Sequence, residues 1–112
     1  MNIKRKLTLK EELLIDFLIK KSNVNNITNW KNKIVATPMA DGGMGSLKLY
    51  STDNDKEDRL YGSTISEYQY KDIDGIDVIA SLNLDKNNNL FELDIWKVDF
   101  SELLSLPDLD LQ

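Results

Sequence analysis

An α+β fold is predicted by this sequence: an antiparallel sheet of four or five strands, ending in a C-terminal meander, with an N-terminal helix packed on one face. Three observations predict it. Apolar and polar residues alternate through residues 76–84 and again from Phe91 to Ile95, the period of a half-buried strand. Turn-forming residues, Asp74-Gly75 and Lys86-Asn87-Asn88-Asn89, punctuate the same stretch. Near the start, Leu9, Leu13, Leu14, Phe17 and Leu18 recur at the three- and four-residue spacing of a helix face. At 112 residues the chain is read as one domain, 1–112, large enough for a core without disulfides.

The helix is expected to start at Thr8, because Thr8-Leu9-Lys10-Glu11 is a capping box in which hydroxyl and carboxylate each take the other residue's amide. Asp16 and Lys20 are ordered as a favourable i,i+4 pair. Ser22-Asn23 and Asn25-Asn26 end the helix, and a short helical turn around Ile27 and Trp30 is expected to follow. Residues 33–37 read as a strand stopped by Pro38, and 47–50 as a second strand. The charged segment 51–59 has no apolar anchor and reads as a surface loop. Leu60 to Lys71 opens the meander. Beyond it, 101–104 is expected to make one helical turn before Pro107, leaving 108–112 as a loose tail.

Register follows from side-chain parity, since a slip of one residue would turn every side chain to the wrong face. A four-residue loop at 86–89 sets Leu84 opposite Phe91, Leu82 opposite Leu93 and Ala80 opposite Ile95. For the preceding turn, a two-residue Asp74-Gly75 connection would oppose Asp72 and Asp77. A three-residue turn with Gly75 left-handed instead sets Tyr70 against Val78, Tyr68 against Ala80 and Lys71 against Asp77, replacing a repulsive pair with an attractive one. The face turned away from the helix then carries three rows: Glu67, Ser81 and Asp94; Gln69, Ile79 and Trp96; Ile65, Asn83 and Glu92. Carboxylates surround a tryptophan there.

Composition removes several function classes. The chain has no His and no Cys, so histidine-dependent triads, ordinary zinc sites, thiol chemistry and disulfides are excluded. No apolar run approaches the ~20 residues of a membrane helix, and no secretory apolar region follows the basic N-terminus, so a cytoplasmic protein without membrane contact is expected. The net charge of -5 conceals an asymmetry. Residues 1–48 carry nine Lys or Arg against four Asp or Glu, a balance of +5, whereas residues 49–112 carry five against fifteen, or -10. An acidic half repels phosphates and suits a basic protein, so the expected partner is protein and not nucleic acid.

Other chemistry fits less well. Asp85, Asn87 and Asn89 have the one-three-five spacing of an EF-hand, but Leu90 stands where Gly is needed and Trp96 where a bidentate Glu is needed. Asp72, Asp74 and Asp77 read as turn formers. The loop 39–46 holds three of the five glycines, yet lacks the Gly-Lys-Ser/Thr ending and strand-loop-helix setting of a phosphate loop. A ligand-binding or enzymatic domain built on residues 41–46 is the alternative. Glu92, Asp94 and Glu67 could pair for acid-base work only in a cleft, which a meander's open face does not supply. No catalytic residue, cofactor or metal is therefore expected.

Three segments taken together, Arg5-Lys6-Leu7-Thr8, Asp41-Gly42-Gly43-Met44-Gly45-Ser46-Leu47, and Ser81 to Asp85 running on to Leu90-Phe91-Glu92-Leu93-Asp94-Ile95-Trp96-Lys97-Val98-Asp99-Phe100-Ser101, resemble a family of small single-domain bacterial proteins of unknown function. That resemblance implies no activity and no catalytic residue. In size and charge such proteins are similar to the immunity proteins of interbacterial toxin systems, including contact-dependent growth inhibition, an analogy of scale and not of motif. The function expected is accordingly a non-enzymatic protein-binding module, an immunity protein blocking a basic toxin such as a nuclease. Glu67, Asp77, Glu92, Asp94, Trp96 and Asp99 are its expected partner-binding residues, on a monomer or weak homodimer.

Overall fold

The computed structural model describes residues 3–53, 56 and 58–109. Among these, one helix, α1 (Leu9–Lys21), accompanies six strands: β1 (Arg5–Lys6), β2 (Ile34–Pro38), β3 (Leu47–Ser51), β4 (Tyr61–Lys71), β5 (Asp77–Asp85) and β6 (Leu90–Lys97). They form a single sheet in the order β1-β2-β3-β6-β5-β4, every pairing antiparallel. The α+β class is as expected, but the sheet has six strands where four or five were predicted. The extra strand is β1, two residues too short to show any alternation.

The capping box forms as predicted. The Glu11 amide donates to Thr8 Oγ1 at 3.2 Å and the Thr8 amide to Glu11 Oε1 at 2.8 Å. Arg5 adds two bonds to the same carboxylate, at 2.8 and 2.9 Å, and so ties β1 to the helix. Burial alone would push the Glu11 carboxyl up, but Arg5 and the Thr8 amide outweigh it and hold it below its usual range. Asp16 and Lys20 make their i,i+4 pair at 2.9 Å. Leu14, Ile15, Leu18 and Ile19 bury against the sheet, and Phe17 meets Tyr68 of β4 edge-on with ring centroids 4.8 Å apart. Leu9 does not join them: it lies in the first turn, before the helix reaches the sheet, and is exposed.

Below α1 the core takes Ala36, Leu47, Leu49, Val78, Ala80, Leu82, Leu84, Leu90, Leu93 and Ile95. The turn before β5 has the preferred register, with Lys71 opposite Asp77, Tyr70 opposite Val78 and Tyr68 opposite Ala80, and Gly75 at φ 83°. Leu82 faces Leu93 and Ala80 faces Ile95, also as predicted. The pairing of Leu84 with Phe91 is corrected. A register shift beyond Asn83 sets Leu84 against Leu90, and Phe91, though buried, packs against Arg59 and not within the main apolar cluster. A second irregularity, between Thr64 and Ser66, turns Ile65 inward and puts Thr64 in its row on the other face.

Arg59 stands beside the first shift. Strands β3 and β6 pair only through Leu47↔Leu93 and Lys48↔Glu92. Beyond those pairs the Arg59 guanidinium bridges them, donating to the Leu49 carbonyl of β3 and, at 3.1 Å, to the Leu90 carbonyl of β6. It also pairs with buried Asp85 at 3.3 Å and lies over both the Tyr50 and Phe91 rings, 5.2 and 5.1 Å from their centroids. The segment 51–59, expected to have no anchor, is thus anchored by its last residue. Asp85 in turn shapes the following loop by accepting from the Asn87 and Asn89 amides, with Asn88 at φ 66°.

Two expected helical turns are absent. Around Trp30 the chain instead makes a turn closed by Lys33 N–H to Trp30 O at 3.1 Å, and Trp30 enters the core. The C-terminal segment 101–109 runs without helix because its amides are held elsewhere. The Asp72 carboxylate accepts from the amides of Ile73, Leu104 and Ser105 at 2.8 to 3.0 Å and from the Ser105 hydroxyl at 3.0 Å. Lys97, fully buried, donates to Asp72 at 2.9 Å, Asp74 at 2.7 Å and the Glu102 carbonyl at 3.1 Å. Asp72 is therefore more than a turn former. Leu103, Leu106 and Leu109 pack onto the core, and the tail beyond Leu109 lies outside the described residues.

Candidate functional site

Packing α1 on one face leaves the opposite face of the sheet with no helix over it among the described residues. On strands β4, β5 and β6 that face is built by parity. Core residues Val78, Ala80, Leu82, Leu93 and Ile95 point toward the helix, so their neighbours Ile79, Ser81, Asn83, Glu92, Asp94 and Trp96 point away. The cross-strand rows are Glu67, Ser81 and Asp94, then Gln69, Ile79 and Trp96, and finally Thr64, Asn83 and Glu92.

Trp96 emerges on this side, 41% exposed, and its ring tilts against Phe100 at a centroid distance of 6.1 Å. Phe100 is itself 70% exposed and held at φ 63° in the turn after β6. Trp30 does not cover Trp96, since it is buried in the core on the helix side of the sheet. Two aromatic rings and half-exposed Val98 therefore make an apolar surface at the end of β6.

The carboxylates around this surface are held by neutral donors. Ser81 donates to Glu67 at 3.2 Å, the Asn83 amide to Glu92 at 3.3 Å, and the Ser46 hydroxyl stands 3.3 Å from Asp94. Thr64 bonds the Asn83 carbonyl oxygen at 2.8 Å, fixing which end of that amide faces Glu92. Among the described residues no cation pairs with Glu67, Glu92 or Asp94, and Lys48, directly opposite Glu92, makes no ion pair either.

The other two expected residues are placed differently. Asp77 lies at the end of the same face with Lys71 2.9 Å away, and that ammonium holds its carboxyl below the usual range. Asp99 sits in the turn after β6, outside the rows. It accepts from the Ser101 hydroxyl at 2.6 Å and amide at 3.0 Å, which lowers its carboxyl too. Four of the six residues thus come together, Asp77 borders them already paired, and Asp99 stands apart. Phe100, Thr64 and the lysines of the neighbouring strands belong to the same surface and escaped the sequence reading. Lys6 and Lys48 had a usable signal, their parity opposite Leu47, Leu49 and Arg5.

The glycine loop is folded around Asp41. Asp41 accepts from the Met44 amide at 3.1 Å and the Ser46 amide at 2.9 Å, so the loop wraps its own carboxylate. Gly45, at φ 95°, also brings the backbone close to the tail: a Cβ there would stand 3.1 Å from Leu103 Cδ2. Ser46 then joins the loop to β6, taking the Ile95 amide at 2.8 Å. Among the described residues no cluster of three or more His, Cys, Asp or Glu could hold a metal ion. Nor is any helix there long and apolar enough to cross a membrane.

A family described as a domain of unknown function, DUF6984, matches residues 4–107, from the strand that opens the sheet to the tail that closes the core. The chain belongs to DUF6984. No curated protein and no solved structure matches it. The DUF6984 match takes in the whole sheet, the Asp41 loop and Asp72 with its tail contacts, so the open face belongs to the family's own domain.

Proposed function

We propose that this DUF6984 protein is a protein-binding module that docks a basic partner on the open face of β4, β5 and β6, and that the partner is a toxin it neutralises. The observation that carries the reading is Trp96, exposed on a face with no helix over it, beside three carboxylates that no cation of the described chain pairs. An aromatic anchor with charge around it is the anatomy of an interface centre, where rings contribute area and slow release while the charges speed encounter. Carboxylates presented in rows can occupy a positive groove made for phosphates, which blocks a nuclease without turnover. The immunity role draws its support from the chain's size and its -10 half, and the docking face does not depend on it.

The test is titration of the intact protein with the product of the neighbouring reading frame, followed by its coexpression in a susceptible host. Binding and host survival are expected for wild type, with at least tenfold weaker binding for Trp96→Ala and for Asp94→Lys. A neighbouring frame that encodes no basic toxin-like domain overturns the toxin reading, and equal binding by all three proteins overturns the docking face.

A further inference from the structure

The open face is not acidic throughout. Strands β1 and β2 and the start of β3, with Lys48, come from the basic half of the sequence and lie in one half of the sheet, whereas β4, β5 and β6 come from the acidic half and form the other. Parity turns Lys6 and Lys48 outward, since Arg5, Leu47 and Leu49 face the helix side. The sequence asymmetry thereby becomes a spatial one on a single face. Neither lysine closes an ion pair among the described residues, although Lys48 stands across from Glu92 of the same chain, and Glu67 and Asp94 close none either.

A basic partner would neutralise only one half of this face. A second copy of the chain neutralises both, and we infer that the protein self-associates through the open faces of two copies. The symmetry is set by charge. A two-fold axis running along the seam between β3 and β6 lays β1, β2 and β3 of each copy over β4, β5 and β6 of the other. Lysine then meets carboxylate on both sides, and Lys48 faces Glu92 of the second copy across the axis. An axis perpendicular to the strands would stack like on like and is disfavoured. The 40 strand residues of the six strands, at about 3.3 Å per residue and about 4.8 Å between strands, give a face on the order of 600 Å². That falls short of the roughly 800 Å² per partner of a stable interface, so a weak, salt-sensitive dimer is expected. This dimer hides the docking face, and a basic partner has to displace it.

Sedimentation velocity on three proteins tests the inference: wild type, Lys6→Glu/Lys48→Glu, and Glu67→Lys/Asp94→Lys. Wild type is expected to dimerise in about 0.01 M salt and to dissociate in about 1 M, where the Debye length falls from about 30 to about 3 Å. Each variant alone opposes like charges twice and is expected to be monomeric. Mixed one to one, the two variants are expected to form a heterodimer. A control mixture in which the first variant's reversals are moved to Lys20 and Lys21 on α1 is expected not to associate. Wild type that stays monomeric from millimolar to micromolar in low salt, variants that dimerise alone, or a control mixture that associates equally well would overturn the inference. A monomeric wild type would leave the docking of a basic partner standing.

Discussion

Charges at the two ends of the β5–β6 hairpin and charges on its open face follow opposite rules. At one end Arg59 and Asp85 are buried together, and at the other Lys97 is buried between Asp72 and Asp74, each group filled out by backbone donors or acceptors. On the face between them Glu67 and Asp94 are exposed, Glu92 and Lys48 half-exposed, and none of the four closes an ion pair among the described residues. A buried ion must be matched on the spot, because leaving water costs several kcal/mol per ion. An exposed one can wait for a partner at little cost. The contrast separates residues that keep the fold from residues available for recognition, and substitutions in the two groups should separate stability from binding.

The largest loss is expected at Asp72. Asp72→Ala takes the buried one of its two carboxylate partners from the Lys97 ammonium and releases the Leu104 and Ser105 amides, so the unfolding free energy should fall by about 3–5 kcal/mol in urea titration. Next comes Arg59→Lys, which keeps the charge but cannot reach Leu49, Leu90 and Asp85 together or stack between two rings. A loss of about 2–3 kcal/mol is expected. A wild-type midpoint in either variant would break the comparison.

Acid sharpens it. Burial would raise the Asp72 carboxyl, but the Leu104 amide, Lys97, the Ile73 amide and Ser105 prevail and hold it well below its ordinary 3.8. A carboxyl depressed in the folded state stabilises fully above its unfolded pKa and loses that contribution as pH falls through the folded one. Stability should therefore decline from about pH 5 downward, with Glu11 adding to the slope. Asp72→Asn should flatten this decline, read from unfolding midpoints across an acid series. The smallest effect is expected on the open face, where Trp96→Ser should lower stability by about 1 kcal/mol while weakening the proposed docking.

Much of this arrangement was legible in the sequence. Alternation and turn residues gave the parity of β5 and β6, hence the side on which Trp96, Glu92 and Asp94 emerge. Long-range contacts hid the rest. The shift that separates Phe91 from the main apolar cluster brings it against Arg59, which lies over thirty residues away and reads in the sequence as one more charge in a polar loop. Lys97 was the better clue, since its parity with Leu93 and Ile95 already required a buried ammonium and so a carboxylate to meet it. The split of the face into basic and acidic halves needed the strand order, which puts β6 beside β3 and which no local pattern reveals.

Fluorescence of the Trp30→Phe protein, whose sole indole is Trp96, tests the central claim most directly. In solution dilute enough to keep the chain monomeric, acrylamide and caesium should quench it readily and iodide poorly, as expected of an exposed ring among carboxylates. Emission that resists all three quenchers, or that yields to iodide as readily as to caesium, would contradict the account.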